Sequence, residues 1–204
     1  MKKILGLLFT ICIICSCKSN SRPPTNSESA SLPKDSLVQK YENEFFSIMY
    51  PQNWTSVWTD NNPDDERIKF IIDSLGIKGG TLELWSPDYR TGVKLVKSIS
   101  AWLNPNGNPK QWCEMSALAR QIEDNCIGMS EITDSIIIEG YPAAEIAFAY
   151  YNGQDTTIQS QYAIIPKTSE LYYANIMHIK GDEEGYRIGW KMLQTLHFKV
   201  DIER

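Results

Sequence analysis

The chain has 204 residues and a mass of 23.3 kDa, the size of one domain or two small ones. Hydrophobic residues make up 42% of it and charged residues 22%, which excludes wholesale disorder, collagen and a pure coiled coil. Twenty Lys and Arg against 25 Asp and Glu give a net charge of -5, which disfavours a protein that binds nucleic acid through its phosphates. Two histidines leave few ways to build a His-rich metal site or a histidine-based catalytic pair.

The N-terminus has the pattern of an export signal. Two lysines precede an apolar stretch over residues 4–15, which only Gly6 and Thr10 interrupt. As a helix this stretch would extend about 18 Å, too short for a hydrocarbon core of roughly 30 Å. We therefore predict a signal peptide over residues 1–16 and no membrane-spanning helix there.

The signal ends in Ile14-Cys15-Ser16-Cys17, which resembles the lipobox of bacterial lipoproteins. The resemblance implies cleavage before Cys17 and acyl chains, palmitate among them, on that residue. Cys15 fits the pattern less well, because Ile14 would then stand where a small residue is required. An ordinary secreted protein is the alternative. Two or three acyl chains anchor stably, so we expect the mature protein to stay on a membrane surface.

Residues 17–40 are predicted to form the lipidated cysteine and a flexible tether. Ser, Asn and Pro are frequent between Lys18 and Lys40, and few large apolar side chains are available for burial. Such a tether spans roughly 25 Å. The acidic run that marks surface export in some lipoproteins does not follow Cys17. We therefore expect a cell-envelope protein on the outer membrane, facing the periplasm.

A globular domain is expected over residues 41–204. Residues 44–50 alternate between apolar and polar side chains, as a strand does. Residues 62–76 carry an N-cap, an early proline, three acids and a final glycine, which predicts a helix. A calcium loop is a poor alternative, because Asp65 stands where that loop needs glycine.

Two further strands and a helix are predicted in the middle of the chain. The strands cover residues 81–85 and 93–102, with a turn between them. Asn108-Pro109 then has the cap chemistry of a helix start. The helix is expected to face a sheet through one apolar stripe, which consists of Trp112, Met115, Leu118, Ala119 and Ile122.

The last part of the chain predicts an antiparallel meander and a closing helix. Its strands cover residues 135–139, 143–151, 156–165 and 171–179, and the closing helix begins at Asp182 and leads into a strand over residues 198–200. The strand at 171–179 is apolar on both faces, so helices should cover both. The predicted fold class is α+β, an antiparallel β-sheet covered by helices on both faces.

Two cysteines, Cys113 and Cys126, remain in the domain. An oxidising compartment favours a disulfide between them. However, thirteen residues of helix separate two positions by about 19 Å, whereas a disulfide needs Cα atoms within about 7 Å. We predict two buried, unpaired thiols and keep the bridge as the alternative.

Four motifs resemble the PsbP-like superfamily. The run Phe-Ser-Ile-Met-Tyr-Pro-Gln-Asn-Trp at 46–54 is similar to the opening of that superfamily, and residues 138–144 are similar to the step before its long strand. Residues 171–173 are similar to its tyrosine-rich late strand, and residues 196–198 to the motif at the end of its terminal helix. The resemblance implies an α/β/α sandwich. It also implies a role in binding or assembly, because members of this superfamily have such roles. The segment 60–80 departs from the pattern as an inserted helix. Fold resemblance alone says little about function.

The candidate functional side chains are few. Trp54, Trp58 and Trp85 could line an aromatic groove for a glycan or peptide, although packing in the core is the alternative that we favour. His178 lies between apolar strand residues and is interpreted as structural. His197 stands at the end of the closing helix, where the helix dipole accounts for it. We predict no catalytic residue, no metal site and no cofactor.

The predicted function is that of a non-catalytic binding or assembly module of the cell envelope. It is held on the membrane through acyl chains on Cys17 and binds a protein partner, not nucleic acid. The alternative is a carrier that holds a small apolar or glycan ligand in an aromatic-lined pocket. An enzyme would require a polar cluster that converges in a cleft, which a sequence cannot reveal.

Overall fold

The computed structural model describes residues 37–60, 78–98, 108–167 and 170–199, together with Lys69 and Ser74. The predicted signal peptide, the first part of the tether and nearly all of the helix predicted over 62–76 lie outside the described residues.

The described residues form eleven strands and two helices. The strands are β1 (Leu37–Glu42), β2 (Phe46–Pro51), β3 (Thr55–Asp60), β4 (Gly80–Trp85), β5 (Thr91–Ser98), β6 (Cys126–Met129), β7 (Thr133–Ile138), β8 (Tyr141–Tyr151), β9 (Thr156–Lys167), β10 (Glu170–Ile179) and β11 (His197–Phe198). The helices are α1 (Pro109–Arg120) and α2 (Glu183–Leu193). Neither is long and apolar enough to cross a membrane.

The strands form two antiparallel sheets. The large sheet has the order β3-β4-β5-β10-β9-β8-β6, and β7 also pairs with β8. The small sheet has the order β1-β2-β11. The predicted α+β class with an antiparallel sheet is confirmed by these pairings.

Side chains on the large sheet alternate between two faces, which we call the first and the second face. The first face carries Leu82, Val93 and Ile164, which pack in one hydrophobic cluster with Phe46 of the small sheet and Leu193 of α2. Burying one such side chain stabilises a fold by about 1.5 to 3 kcal/mol. The small sheet and α2 are therefore held by the same cluster.

The second face carries a separate hydrophobic cluster, in which Trp112 and Cys113 of α1 pack against Ala144, Ile146 and Phe148 of β8. Asn108 caps α1 as expected, and the structure adds a capping box: the Asn108 side chain accepts a hydrogen bond from the Gln111 backbone, and the Gln111 side chain accepts one from the Asn108 N–H. Helix and cap follow the sequence-based expectation.

The side of α1 that faces the sheet is only partly the one predicted: Trp112 is buried against the sheet, but three other members of the predicted stripe are not. Met115, Leu118 and Ile122 are 42%, 55% and 69% exposed. The sheet instead receives Cys113 and Ser116, whose small side chains permit close contact: Cys113 Sγ donates to Ala144 O over 3.4 Å, and Gln161 Nε2 donates to Ser116 Oγ over 2.7 Å. Side-chain size and hydrogen bonding outweigh the larger apolar stripe.

Two further expectations need correction. The strand β1 begins at Leu37, so the folded part starts before residue 41; half-buried side chains at alternate positions and pairing with β2 hold these residues. Cys113 is buried but Cys126 only half-buried, and both are free thiols.

His197 belongs to β11 and contacts the carboxylate of Glu139, not a helix end. Glu139 and Gly140 form the two-residue turn between β7 and β8, with φ values of 52° and 80°. The second carboxylate oxygen of Glu139 accepts a hydrogen bond from Phe198 N over 2.6 Å. The helix-dipole interpretation of His197 is therefore replaced by a carboxylate that joins β11 to the turn.

The two sides of α1 should differ in their contribution to stability. Trp112→Ala is expected to lower the free energy of unfolding by about 3 to 5 kcal/mol, because Trp112 is 2% exposed and its loss leaves a cavity. Leu118→Gln should change it by less than about 0.5 kcal/mol, because that side chain faces solvent. Urea denaturation measures both, and a large loss for Leu118→Gln would contradict this orientation of α1.

Candidate functional site

The three tryptophans of the predicted groove lie in different surroundings. Trp54 is 5% exposed and belongs to the first-face cluster. Trp58 lies on the same face, where its ring stacks on Tyr41 at 6.3 Å, and a Cβ on Gly80 would overlap it. Trp58 therefore packs over the glycine of the neighbouring strand.

Trp85 lies on the second face. Leu82 and Leu84 of β4 point to the first face, so strand alternation turns Trp85 the other way, over Gly92 and 6.4 Å from the ring of Tyr89. The structure does not bring Trp85 into one groove with Trp54 and Trp58. Packing on glycines and in the core accounts for the positions of all three.

A different set of side chains converges on the first face, beside α2. Glu145 on β8 stands opposite Tyr162 on β9 in the strand register. The helix α2 packs mainly against β10 and β5, and its Tyr186 and Trp190 side chains extend from there to Tyr162. We call Glu145, Tyr162, Tyr186 and Trp190 the Glu145 cluster.

A chain of hydrogen bonds runs through the Glu145 cluster. The Tyr162 hydroxyl donates to Glu145 Oε1 over 2.8 Å and lies 2.9 Å from the Tyr186 hydroxyl. A phenol has one proton, and that of Tyr162 goes to the carboxylate, so Tyr186 is the donor in the second bond. The Trp190 ring packs on Tyr162 at 5.4 Å, which places an indole beside this chain.

The cluster combines a buried hydroxyl with a partly accessible carboxylate. Tyr162 is 1% exposed, whereas Glu145, Tyr186 and Trp190 are half-buried. Burial above all, with the Tyr186 hydroxyl and the Glu145 carboxylate adding to it, raises the pKa of Tyr162 above its ordinary value of 10.0. Tyr162 therefore stays a neutral donor that orients the carboxylate at neutral pH.

His178 is placed next to the cluster but outside its hydrogen-bond chain. Its side chain is 7% exposed, its ring packs against Tyr186 at 5.5 Å, and Nδ1 lies 3.1 Å from the Ile179 carbonyl. These contacts agree with the structural interpretation of this histidine.

Another polar depression, with a volume of about 380 Å³, lies beside the start of β5 and the end of β10. Its carboxylates already have protein partners: Asp88 accepts from Ser86 Oγ over 2.6 Å, and Asp182 caps α2 by accepting from Gly185 N. Among the described residues, no three His, Cys, Asp or Glu side chains are grouped so that they could hold a metal ion. The Glu145 cluster is thus the stronger candidate.

Sequence reasoning missed this cluster. One signal was present: Glu145 is an acid in the otherwise apolar strand Tyr-Pro-Ala-Ala-Glu-Ile-Ala-Phe. Its partners Tyr162 and Tyr186 come from β9 and α2, and only the strand register and the position of α2 reveal that they meet.

Removing the buried hydroxyl should have two effects. Tyr162→Phe is expected to lower the free energy of unfolding by about 1 to 3 kcal/mol, because Tyr186 and Glu145 lose their partner. Native stability should also fall as pH rises above 10, because the folded state raises the pKa of Tyr162 and the unfolded chain releases that proton first. The variant lacks this loss, so its stability should vary less between pH 10 and 12.

Urea denaturation at several pH values measures both effects. Tyr151→Phe is the matched control, because Tyr151 is 48% exposed and its hydroxyl can bond to water. Equal behaviour of the two variants would contradict the assigned hydrogen bonds.

The chain matches no family model and no curated protein. Among solved structures it is similar to a Bacteroides thetaiotaomicron protein, with 11% identity and a TM-score of 0.49 over 83% of this chain. The match covers 51% of that protein, so this chain spans about half its length. A Pseudomonas aeruginosa protein of unknown function has 12% identity and a TM-score of 0.40, over 77% of this chain and 94% of that one.

A third similar structure is the PsbP of the cyanobacterium Synechocystis. Its identity is 10% and its TM-score 0.49, over 78% of this chain and 91% of that one. A PsbP structure is thus among the solved structures to which this chain is similar.

Proposed function

We propose that this chain is a lipid-anchored binding module of the cell envelope, which binds its partner through the Glu145 cluster without turnover. Acyl chains on Cys17 hold it on the outer membrane, facing the periplasm. The folded part, from Leu37 onward, is connected to them by a short tether.

The pattern Ile14-Cys15-Ser16-Cys17 after a short apolar stretch supports the anchor. The domain is acidic as a whole, so attraction to anionic lipid does not hold it on a membrane. Covalent acyl chains provide the membrane attachment that the surface charge does not, since two or more of them anchor a protein stably.

The layered architecture is part of the proposal. Contacts of α1 with the second-face cluster and of α2 with the first-face cluster support an α/β/α arrangement, in which helices cover both faces of the large sheet. This arrangement leaves the Glu145 cluster beside α2, at the border between a covered and an accessible part of the first face.

The observation that carries the binding role is the half-buried Glu145 carboxylate, oriented by a fully buried tyrosine. Binding without turnover is supported by the same contacts. General acid or base catalysis needs a group that exchanges protons near the working pH. In the cluster both phenol protons take part in hydrogen bonds, and the pKa of Tyr162 is moved further from neutrality.

The anchor can be tested by replacing the acylated residue. Cys17→Ala is expected to abolish incorporation of labelled palmitate and to release the chain from the membrane fraction, because no other residue is proposed to carry lipid. Cys15→Ala is the matched control and should leave both unchanged. Palmitate incorporation that survives Cys17→Ala would contradict the anchor.

The binding surface can be tested by site-specific photocrosslinking in cells. Ala149 lies on the first face, about 14 Å along β8 from Glu145. A crosslinker at Ala149 should yield an adduct with one defined partner. The same crosslinker at Val57, which is 57% exposed on the second face of the edge strand β3, should not. Equal adducts at the two positions would contradict the proposed surface.

A further inference from the structure

Several partly buried acids of the described part have a cationic partner there, and Glu145 has none. Glu83 pairs with Lys94 at 3.0 Å, Glu170 with Lys97 at 3.6 Å and Glu123 with Arg120 at 2.5 Å. Glu145 is half-buried as well, yet its one hydrogen bond in that part of the chain is from Tyr162 to Oε1. A partly buried carboxylate is stabilised by an opposite charge. The described residues do not supply one to Glu145, so a bound cation would stabilise this carboxylate.

The proton arrangement of the cluster decides which ligand it accepts. The Tyr162 hydroxyl donates its hydrogen bond to Glu145, and the Tyr186 hydroxyl donates its hydrogen bond to Tyr162. Glu145 Oε2 and the oxygen of Tyr186 are then left as acceptors. A ligand must therefore bring donors, and a charged donor gains more from the carboxylate than a neutral one.

The surroundings of the carboxylate are aromatic. Trp190 and Tyr186 are half-buried and both contact Tyr162, so a ligand at Glu145 Oε2 reaches the cluster beside an indole and a phenol ring. Such rings attract ammonium and guanidinium groups within about 6 Å of the ring centroid. Carboxylate and rings thus select the same class of ligand.

We propose that the Glu145 cluster is a binding site for an ammonium or guanidinium group, which donates to Glu145 Oε2 and lies against Trp190 and Tyr186. This inference rests on the proposed function and names the chemistry of what that surface binds. The same chemistry occurs in lysine and arginine side chains of a protein partner and in free small amines.

The test is an NMR titration of the full, isotope-labelled chain in detergent micelles. The probes are n-butylammonium, methylguanidinium and a trilysine peptide, each compared with n-butanol and with sodium chloride at equal ionic strength. We expect saturable shifts of the Trp190 indole N–H signal, assigned with Trp190→Phe, with dissociation constants on the order of 1 mM for the small cations. Tighter binding of trilysine than of n-butylammonium assigns the site to a polypeptide, and equal binding per charge assigns it to small amines.

Glu145→Gln keeps the size of the side chain and removes its charge, so cation affinity should fall at least tenfold. Glu131→Gln is the matched control: it removes the same charge from an exposed position between β6 and β7 and should leave the affinity unchanged. Thermal unfolding of both variants verifies that they are folded. Unchanged cation binding by Glu145→Gln, or shifts that n-butanol reproduces, would overturn the inference.

The inference and the proposed function can fail separately. If the crosslink from Ala149 persists in the Glu145→Gln variant, the surface binds a partner but not through a cation. If the crosslink is absent while the titration succeeds, the cation site exists and the proposed partner surface is wrong.

Discussion

The hydrogen bond from the buried Tyr162 hydroxyl to the Glu145 carboxylate is the interaction on which the functional account depends. It joins neighbouring strands, and through Tyr186 it also joins α2 to the sheet. Because Tyr162 is buried and Glu145 is half-buried, the hydrogen bond holds the partly accessible Glu145 carboxylate in one orientation. A site that is oriented before its ligand arrives loses less entropy on binding.

The rest of the fold supplies the support for this bond. The first-face cluster holds α2 through Met192 and Leu193, and Gly189 lets the helix approach Ile176 closely, since a Cβ there would overlap that side chain. On the second face, α1 packs against β8 and β9. The strands that carry Glu145 and Tyr162 are thus packed on one face by α1 while α2 brings Tyr186 and Trp190 to the other.

Local signals in the sequence were sufficient for much of the fold. The N-caps at Asn108 and Asp182 and the alternating pattern of β8 to β10 are local signals, and each of these elements forms where it was expected. The short strands β1, β3 and β6 were not predicted. Each lies at an edge of its sheet and is largely exposed on one or both sides, so its apolar alternation is weak.

The orientation of α1 and the Glu145 cluster depend on contacts between distant parts of the chain. The apolar pattern favours Met115 and Leu118 as buried beside Trp112, but the helix instead packs Cys113 and Ser116 beside Trp112, and Ser116 accepts a hydrogen bond from Gln161. Likewise, Glu145 and Tyr186 are far apart in sequence and meet only after α2 docks. Such choices follow from tertiary packing, which no local pattern encodes.

The most direct measurement is a crystal structure of the intact chain with an alkylammonium ion bound at the Glu145 cluster. The account predicts the nitrogen within hydrogen-bonding distance of Glu145 Oε2 and beside the Trp190 ring, while Tyr162 still donates to Oε1. A Glu145 carboxylate already paired with a lysine or arginine of its own chain, with the ion elsewhere, would contradict it.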